Sequence, residues 1–168
     1  MSRSQRIQRK TLLAVGEGYS EVAFLKHLKS IYCSGGFGVS VKVVNAYGRG
    51  PDNVIDHAIS LIGTEAYDHR LCLLDTDIPW PTTKAKKAKQ KKIYLIGSDP
   101  CLEGLLLEIL QRPKGGNSEI CKRNLRAITN ASMTESVDYK KLFTKPILDG
   151  ARTRINTLDT LITMFEGS

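Results

Sequence analysis

Carboxylates close three apolar runs along this chain. Gly16-Glu17-Gly18 follows Thr11–Val15, and Asp75-Thr76-Asp77 follows Arg70–Leu74. Ser98-Asp99-Pro100 follows Ile93–Ile96, with Glu103 one helical turn further on. Glycines on both sides of Glu17 permit a tight turn and close backbone approach, and they leave the carboxylate open. In Asp75-x-Asp77 two side chains project from one strand end and can share a cation. Carboxylates gathered without a cation raise one another's pKa values. Oxygen ligands with no histidine or cysteine at ligand spacing favour Mg²⁺ or Mn²⁺ over zinc. Mg²⁺ binds through one or two carboxylates plus substrate phosphate, so the pattern suits phosphoryl or phosphodiester chemistry. Taken singly, aspartates in turns and glutamates in first helical turns also act as caps and dipole partners. Glu21 fits either role, and so does Glu103.

Basic residues follow these motifs. Six lysines, Lys84, Lys86, Lys87, Lys89, Lys91 and Lys92, fall within nine residues directly after Asp77. Such a run either contacts a phosphate backbone beside the acidic centre or forms a solvated helix face. Gly48-Arg49-Gly50 precedes a helix start, where free N–H groups and Arg49 favour an anion. The same residues also read as a plain turn capped by Asp52 or Asn53. Trp80, between two prolines, can stack on a base or pack against the sheet edge. His27, His57 and His69 lack metal spacing.

The elements that must position these residues alternate. Apolar, β-branched runs at 11–15, 39–44, 70–74 and 93–96 read as buried strands. Helical spacing covers 20–32, with Ser20 as cap and Tyr19 stapled on Phe24. It recurs after Gly48–Asn53 as far as Gly63, over the lysine-rich 82–90, and over Cys101–Leu110. Beyond Pro113-Lys-Gly-Gly-Asn117 strand signals stop. Residues 118–131 and 135–143 are weakly helical, and 151–166 is an amphipathic helix. Strands separated by helical crossovers imply an α/β fold with a four-stranded, mostly parallel sheet flanked by helices. Ligands in such sheets bind beyond the carboxyl ends of the strands. The expected organisation is an α/β domain at 1–112 and a helical C-terminal extension at 113–168, packed on or beside it.

Composition narrows the class. The chain has 168 residues, 41% of them hydrophobic, with 25 Lys+Arg against 17 Asp+Glu and a net charge of +8. A basic chain is drawn to polyanions, nucleic acid first among them. No apolar run reaches membrane-spanning length, and the basic start followed by Thr11–Val15 is too short for a signal segment. The expectation is a soluble cytoplasmic protein with no membrane partner. Cys33, Cys72, Cys101 and Cys121 form no CxxC pair, which argues against structural zinc. Cys72 reads as a core residue; Cys101, after a proline near the carboxylates, is either reactive or structural.

A strand followed by Gly16-Glu17-Gly18 and a helix, with a later strand ending Leu74-Asp75-Thr76-Asp77, resembles the TOPRIM domain. That domain occurs in type IA and II topoisomerases, bacterial primases, a ribosomal-RNA maturation nuclease family and OLD-family nucleases. Asp99-Pro100-Cys101-Leu102-Glu103, before a leucine-rich helix, is similar to the Asn-Pro-Cys-Phe-Glu motif of RloB-like proteins, a TOPRIM branch near phage-defence genes. The likeness spans roughly residues 11–112. Asp99 stands where that motif has asparagine and Leu102 where it has an aromatic, and Ile78-Pro-Trp-Pro81 departs from the pattern. The resemblance implies a Rossmann-like sheet. It makes Asp75 and Asp77 metal ligands and Glu17 a ligand or proton-transfer group, and Glu103 would complete the site.

The leading expectation is a Mg²⁺- or Mn²⁺-dependent nuclease acting on DNA or RNA, with Glu17, Asp75, Asp77 and Glu103 as its catalytic set. Arg49 and the six lysines would hold the strand. No tyrosine is placed for topoisomerase chemistry. The alternative is a non-catalytic nucleic-acid-binding or regulatory subunit that works with a separate protein; the 151–166 stripe suits docking or homodimer formation, although packing on its own domain is the stronger reading of it. A haloacid-dehalogenase-type reading of Leu73-Leu-Asp-Thr-Asp77 is weaker, because that motif normally begins its fold.

Overall fold

A computed structural model describes residues 8–36 and 38–168. The basic start at 1–7 and Phe37 of the glycine-rich loop lie outside the described residues. Four strands form one sheet: β1 (Thr11–Gly16), β2 (Ser40–Asn45), β3 (His69–Asp75) and β4 (Tyr94–Ser98). Their order is β2-β1-β3-β4 and every pairing is parallel. Helices α1 (Tyr19–Tyr32), α2 (Gly50–Ile62) and α3 (Thr82–Gln90) make the crossovers. After β4 the chain is helical: α4 (Leu102–Ile109), α5 (Ser118–Thr129), a 3₁₀ turn (Ser136–Tyr139), α6 (Lys145–Arg152) and α7 (Asn156–Glu166).

Strand alternation divides the core in two. Leu12, Ala14, Leu71 and Leu73 face one layer with α1, α4, α5 and α7. Leu13, Val15, Cys72 and Leu74 face the other, with Val54, Ile55 and Ala58 of α2 and Ala88 of α3. Period-two side chains on strands buried from both sides give the near-continuous apolar runs seen in the sequence. The first layer continues without a break into the C-terminal helices. Phe24 and Leu106 share a cluster with Leu125, Phe143, Leu161 and Phe165. Each such side chain contributes roughly 1.5–3 kcal/mol by leaving water.

Several local expectations change. The 151–166 segment is not one helix: α6 ends at Arg152 and α7 begins at Asn156. The Arg152 guanidinium bridges the break through Asp159 (2.7 Å) and Glu166 (2.9 Å). Ser20 is not the α1 cap; that position is Gly18, whose N–H donates to Glu21 Oε2 at 2.8 Å. Tyr19 does not staple onto Phe24. It is 65% exposed and meets Tyr47 edge-on, with ring centroids 6.2 Å apart. Residues 135–143 hold a 3₁₀ turn, anchored by Tyr139, whose hydroxyl donates to the carbonyls of Ser20 (3.1 Å) and Met133 (3.0 Å). No helix among the described residues is long and apolar enough to cross a membrane.

Candidate functional site

The strand order reverses between β1 and β3: the chain leaves β1 outward to β2, then returns to the other side. At such a switch point the two crossovers cover opposite faces, and a crevice opens beyond the strand ends. Glu17 follows β1 directly, and Asp75 ends β3. The Asp75 N–H donates to Glu17 Oε2 at 3.2 Å, so the two carboxylate-bearing ends meet at the crevice.

Close packing fixes this edge. A Cβ on Gly16 would lie 2.9 Å from the Val22 nitrogen, so the glycine lets the start of α1 rest on β1. That brings Glu21, with 7% of its surface exposed, to the site. On the far side the Leu102 N–H, at the start of α4, donates to Asp75 Oδ1 at 2.9 Å. Gly104 allows that approach, because a Cβ there would lie 2.7 Å from the Asp99 carbonyl oxygen. Trp80 settles as a packing residue: it is half-buried on the second core layer, and its indole N–H donates to the Asp75 carbonyl at 2.9 Å.

The electrostatics are those of an under-neutralised acidic cluster. Burial, then the charges of Glu21 and Glu17, push Asp75 up to about 8; the Leu102 hydrogen bond opposes this and Glu103 adds to it. Burial also raises Glu21, against its backbone hydrogen bonds and with help from Glu103 and Glu17. Glu17, Glu21, Asp75 and Glu103 therefore share one field. Asp77 stands apart. It is exposed, accepts a 2.6 Å hydrogen bond from the Ser118 hydroxyl, and is fixed through its N–H to the Pro100 carbonyl (2.9 Å).

Lys122 of α5 enters the same field. Burial alone would lower its ammonium, but Glu103 first, then Cys101, Asp75 and Asp77 more than offset this and raise it. Cys101 is fully buried, burial pushes its thiol up to about 12, and it packs as a core residue. Cys72 is likewise core.

The expected basic contacts divide. Arg49 lies at the acidic edge, on an exposed loop whose Gly48 N–H donates to the Glu17 carbonyl at 2.7 Å. Arg49 has a φ of 70°, and Tyr47 beside it a φ of 60°. Neither Asp52 nor Asn53 caps α2; the Asn53 amide instead ties down the carbonyls of Ala46 (2.9 Å) and Gly48 (2.8 Å). The lysine run does not hang beside the carboxylates. In α3 only the first lysine, Lys84, is near the carboxyl edge, and it pairs with Asp56 of α2. Lys86, Lys87 and Lys89 lie progressively further along the helix, and Lys91 and Lys92 precede the start of β4. A crossover helix runs antiparallel to the strands it joins, so this charge ends at the opposite edge of the sheet.

Glu21 was legible only as a dipole partner or ligand, although its four-residue spacing from Glu17 was a usable signal. Lys122 and Ser118 carried none, since only the packing of α5 on α4 brings them to the site.

The donor chemistry suits a hard divalent cation. Glu17 Oε1 and Asp75 Oδ2 accept no hydrogen bond among the described residues, and the Ser98 hydroxyl, beside Asp75 in register, is buried without a partner. As the side chains stand, no three His, Cys, Asp or Glu residues among those described are grouped to enclose an ion. Comparison with protein-family models, curated proteins and solved structures gives no match.

Proposed function

We propose that this chain is a TOPRIM-type, Mg²⁺- or Mn²⁺-dependent nuclease, related to the RloB-like branch and its role in phage defence. The observation that carries the reading is the convergence of Glu17, Glu21, Asp75 and Glu103 at the switch point, with burial and mutual repulsion raising Asp75 and Glu21. Glu17 and Asp75 would hold the cation, with Asp77 joining them on release from Ser118. A bound divalent cation supplies charge at a scissile phosphate and lowers the pKa of a coordinated water. The chain's own residues do the rest. The Leu102 N–H and the Glu17–Asp75 contact keep Asp75 aimed into the crevice. Glu103, at the crevice rim, accepts the proton released by the attacking water. Lys122 faces the developing negative charge on the phosphate.

One observation favours the non-catalytic alternative. The Lys122 ammonium already lies in the field of Glu103, Asp75 and Asp77. A chain whose acidic centre is neutralised by its own lysine needs no metal and would act as a binding subunit.

Calorimetry with Mg²⁺ and Mn²⁺ on the native chain and on Asp75→Asn/Asp77→Asn separates the two, with a nicking assay on the same samples. Binding and cleavage that disappear together in the double variant support the nuclease. A native chain that takes up no metal, with nucleic acid present, leaves the binding subunit.

A further inference from the structure

The feature of the molecule that the acidic centre leaves unexplained is the outer face of α5. A groove of ≈ 640 Å³ runs between α5 and the Ala131–Met133 segment. Glu103 stands in its wall, so the groove opens onto the acidic centre. Lys122, Arg123 and Arg126 line it, with Ser132 and Met133 among the other wall residues. Lys122 has the carboxylates as its countercharge, but Arg123 and Arg126 do not. Both are exposed, and neither side chain forms an ion pair or hydrogen bond with another described residue. Some helical cations are paired, Lys84 with Asp56, Lys145 with Asp149 and Arg152 with Asp159 and Glu166, whereas Lys86, Lys87 and Lys89 of α3 are exposed without an ion pair among the described residues.

Lys122 and Arg126 are one helical turn apart, about 6 Å along the axis. The cations thus form a line leading away from the carboxylates, with Ala131, Ser132 and Met133 in the wall opposite. A line of positive charge complements a chain of phosphates better than a single anion. The lysines of α3 offer no such continuity. Lys89 and Lys92 sit beside Tyr94, where β4 begins. That is roughly one strand length, on the order of 15 Å, from the carboxyl edge.

We propose that the α5 groove, and not the lysine-rich α3, is the track for the phosphodiester backbone of a nucleic-acid strand delivered to the acidic centre. This rests on the nuclease reading for the strand's destination, but the track binds without chemistry. Arginine is suited to the task, because its planar fork contacts phosphate oxygens in pairs.

The test is fluorescence anisotropy of the full chain with a short labelled oligonucleotide, as DNA and as RNA, in the presence of chelator so that nothing is cleaved. Arg123→Gln/Arg126→Gln is expected to weaken binding about tenfold or more and to lower the slope of log affinity against log salt by about 2, one for each phosphate no longer neutralised. Arg123→Lys/Arg126→Lys should keep most of the salt slope, and Lys89→Gln/Lys92→Gln should change affinity less than about twofold. All substituted residues are exposed, and unchanged melting curves verify the folds. A native chain that binds neither oligonucleotide overturns the proposal, as does an α3 variant that loses as much affinity as the α5 variant. A groove that binds as expected, on a chain that never cleaves with Mg²⁺ or Mn²⁺, upholds the track and removes only the nuclease reading.

Discussion

Asp75 holds its proton in the folded chain over a range where an unfolded chain has already released it. Its raised value, about 8 against an ordinary 3.8, means that its contribution to stability is full in acid and lost as the pH climbs toward 8. The metal-free protein should therefore lose stability between pH 5 and pH 8, by about 1 kcal/mol per unit. Thermal melts across that range check this. Asp75→Asn should flatten the profile, and parallel curves for the two proteins would sink the assignment. Lys122 offers a second test. Removing its charge as Lys122→Met takes a like charge away from an incoming cation, and should tighten Mg²⁺ binding about tenfold. Unchanged or weaker binding would show that Lys122 is not competing for the acidic centre. Both residues also mark what could be read early. Asp75 was visible as the last residue of an apolar run, whereas Lys122 lies in a weakly patterned segment and gains meaning only from its neighbours.

Helix α4 is the element that completes the site, and its seating depends on Gly104. A Cβ there would meet the Asp99 oxygen at 2.7 Å and the Pro100 ring at 2.9 Å. Gly104→Ala should cost about 1–3 kcal/mol from overpacking. It should also draw the Leu102 N–H off Asp75, so that metal binding falls along with urea stability. Reduced stability with metal binding intact would separate α4 packing from the site. At the other end of the first core layer, Tyr139 joins the 3₁₀ turn to α1. Its ring lies 5.6 Å from Phe24 and 5.5 Å from Phe143, and its hydroxyl serves two carbonyls. Tyr139→Phe keeps the packing but takes the hydroxyl away from the Met133 carbonyl, whereas the Ser20 carbonyl keeps its place in the α1 ladder, so urea denaturation should show a loss of about 1–3 kcal/mol.

At the scale of the whole molecule, the sheet and the C-terminal helices share one apolar layer. A chain ended after residue 112 would expose Phe24, Leu28 and Leu105 of that layer to water. It should lose its cooperative thermal transition in circular dichroism and elute as larger species in size-exclusion chromatography. A sharp transition and monomeric elution would instead establish 1–112 as a unit that folds alone. The net charge of +8 is also a whole-molecule property. It draws polyanions in general, and the distribution over α3 and α5 decides where they dock.

The order of residues alone determined the parallel α/β sheet and the strand-end positions of Glu17 and Asp75. Both follow from local rules: continuous apolar runs make doubly buried strands, and glycine or aspartate ends them. Helical spacing likewise located α1, α2 and α4. Local pattern could not reveal which charges meet, because that depends on contacts between distant segments. Asp77 turned toward Ser118, Glu21 became buried, α3 carried its lysines away from the carboxylates, and α5 brought Lys122 into the field of Glu103 and placed Arg123 and Arg126 in the same groove. Each outcome reflects helix packing and crossover direction, which only the assembled sheet and its two layers specify.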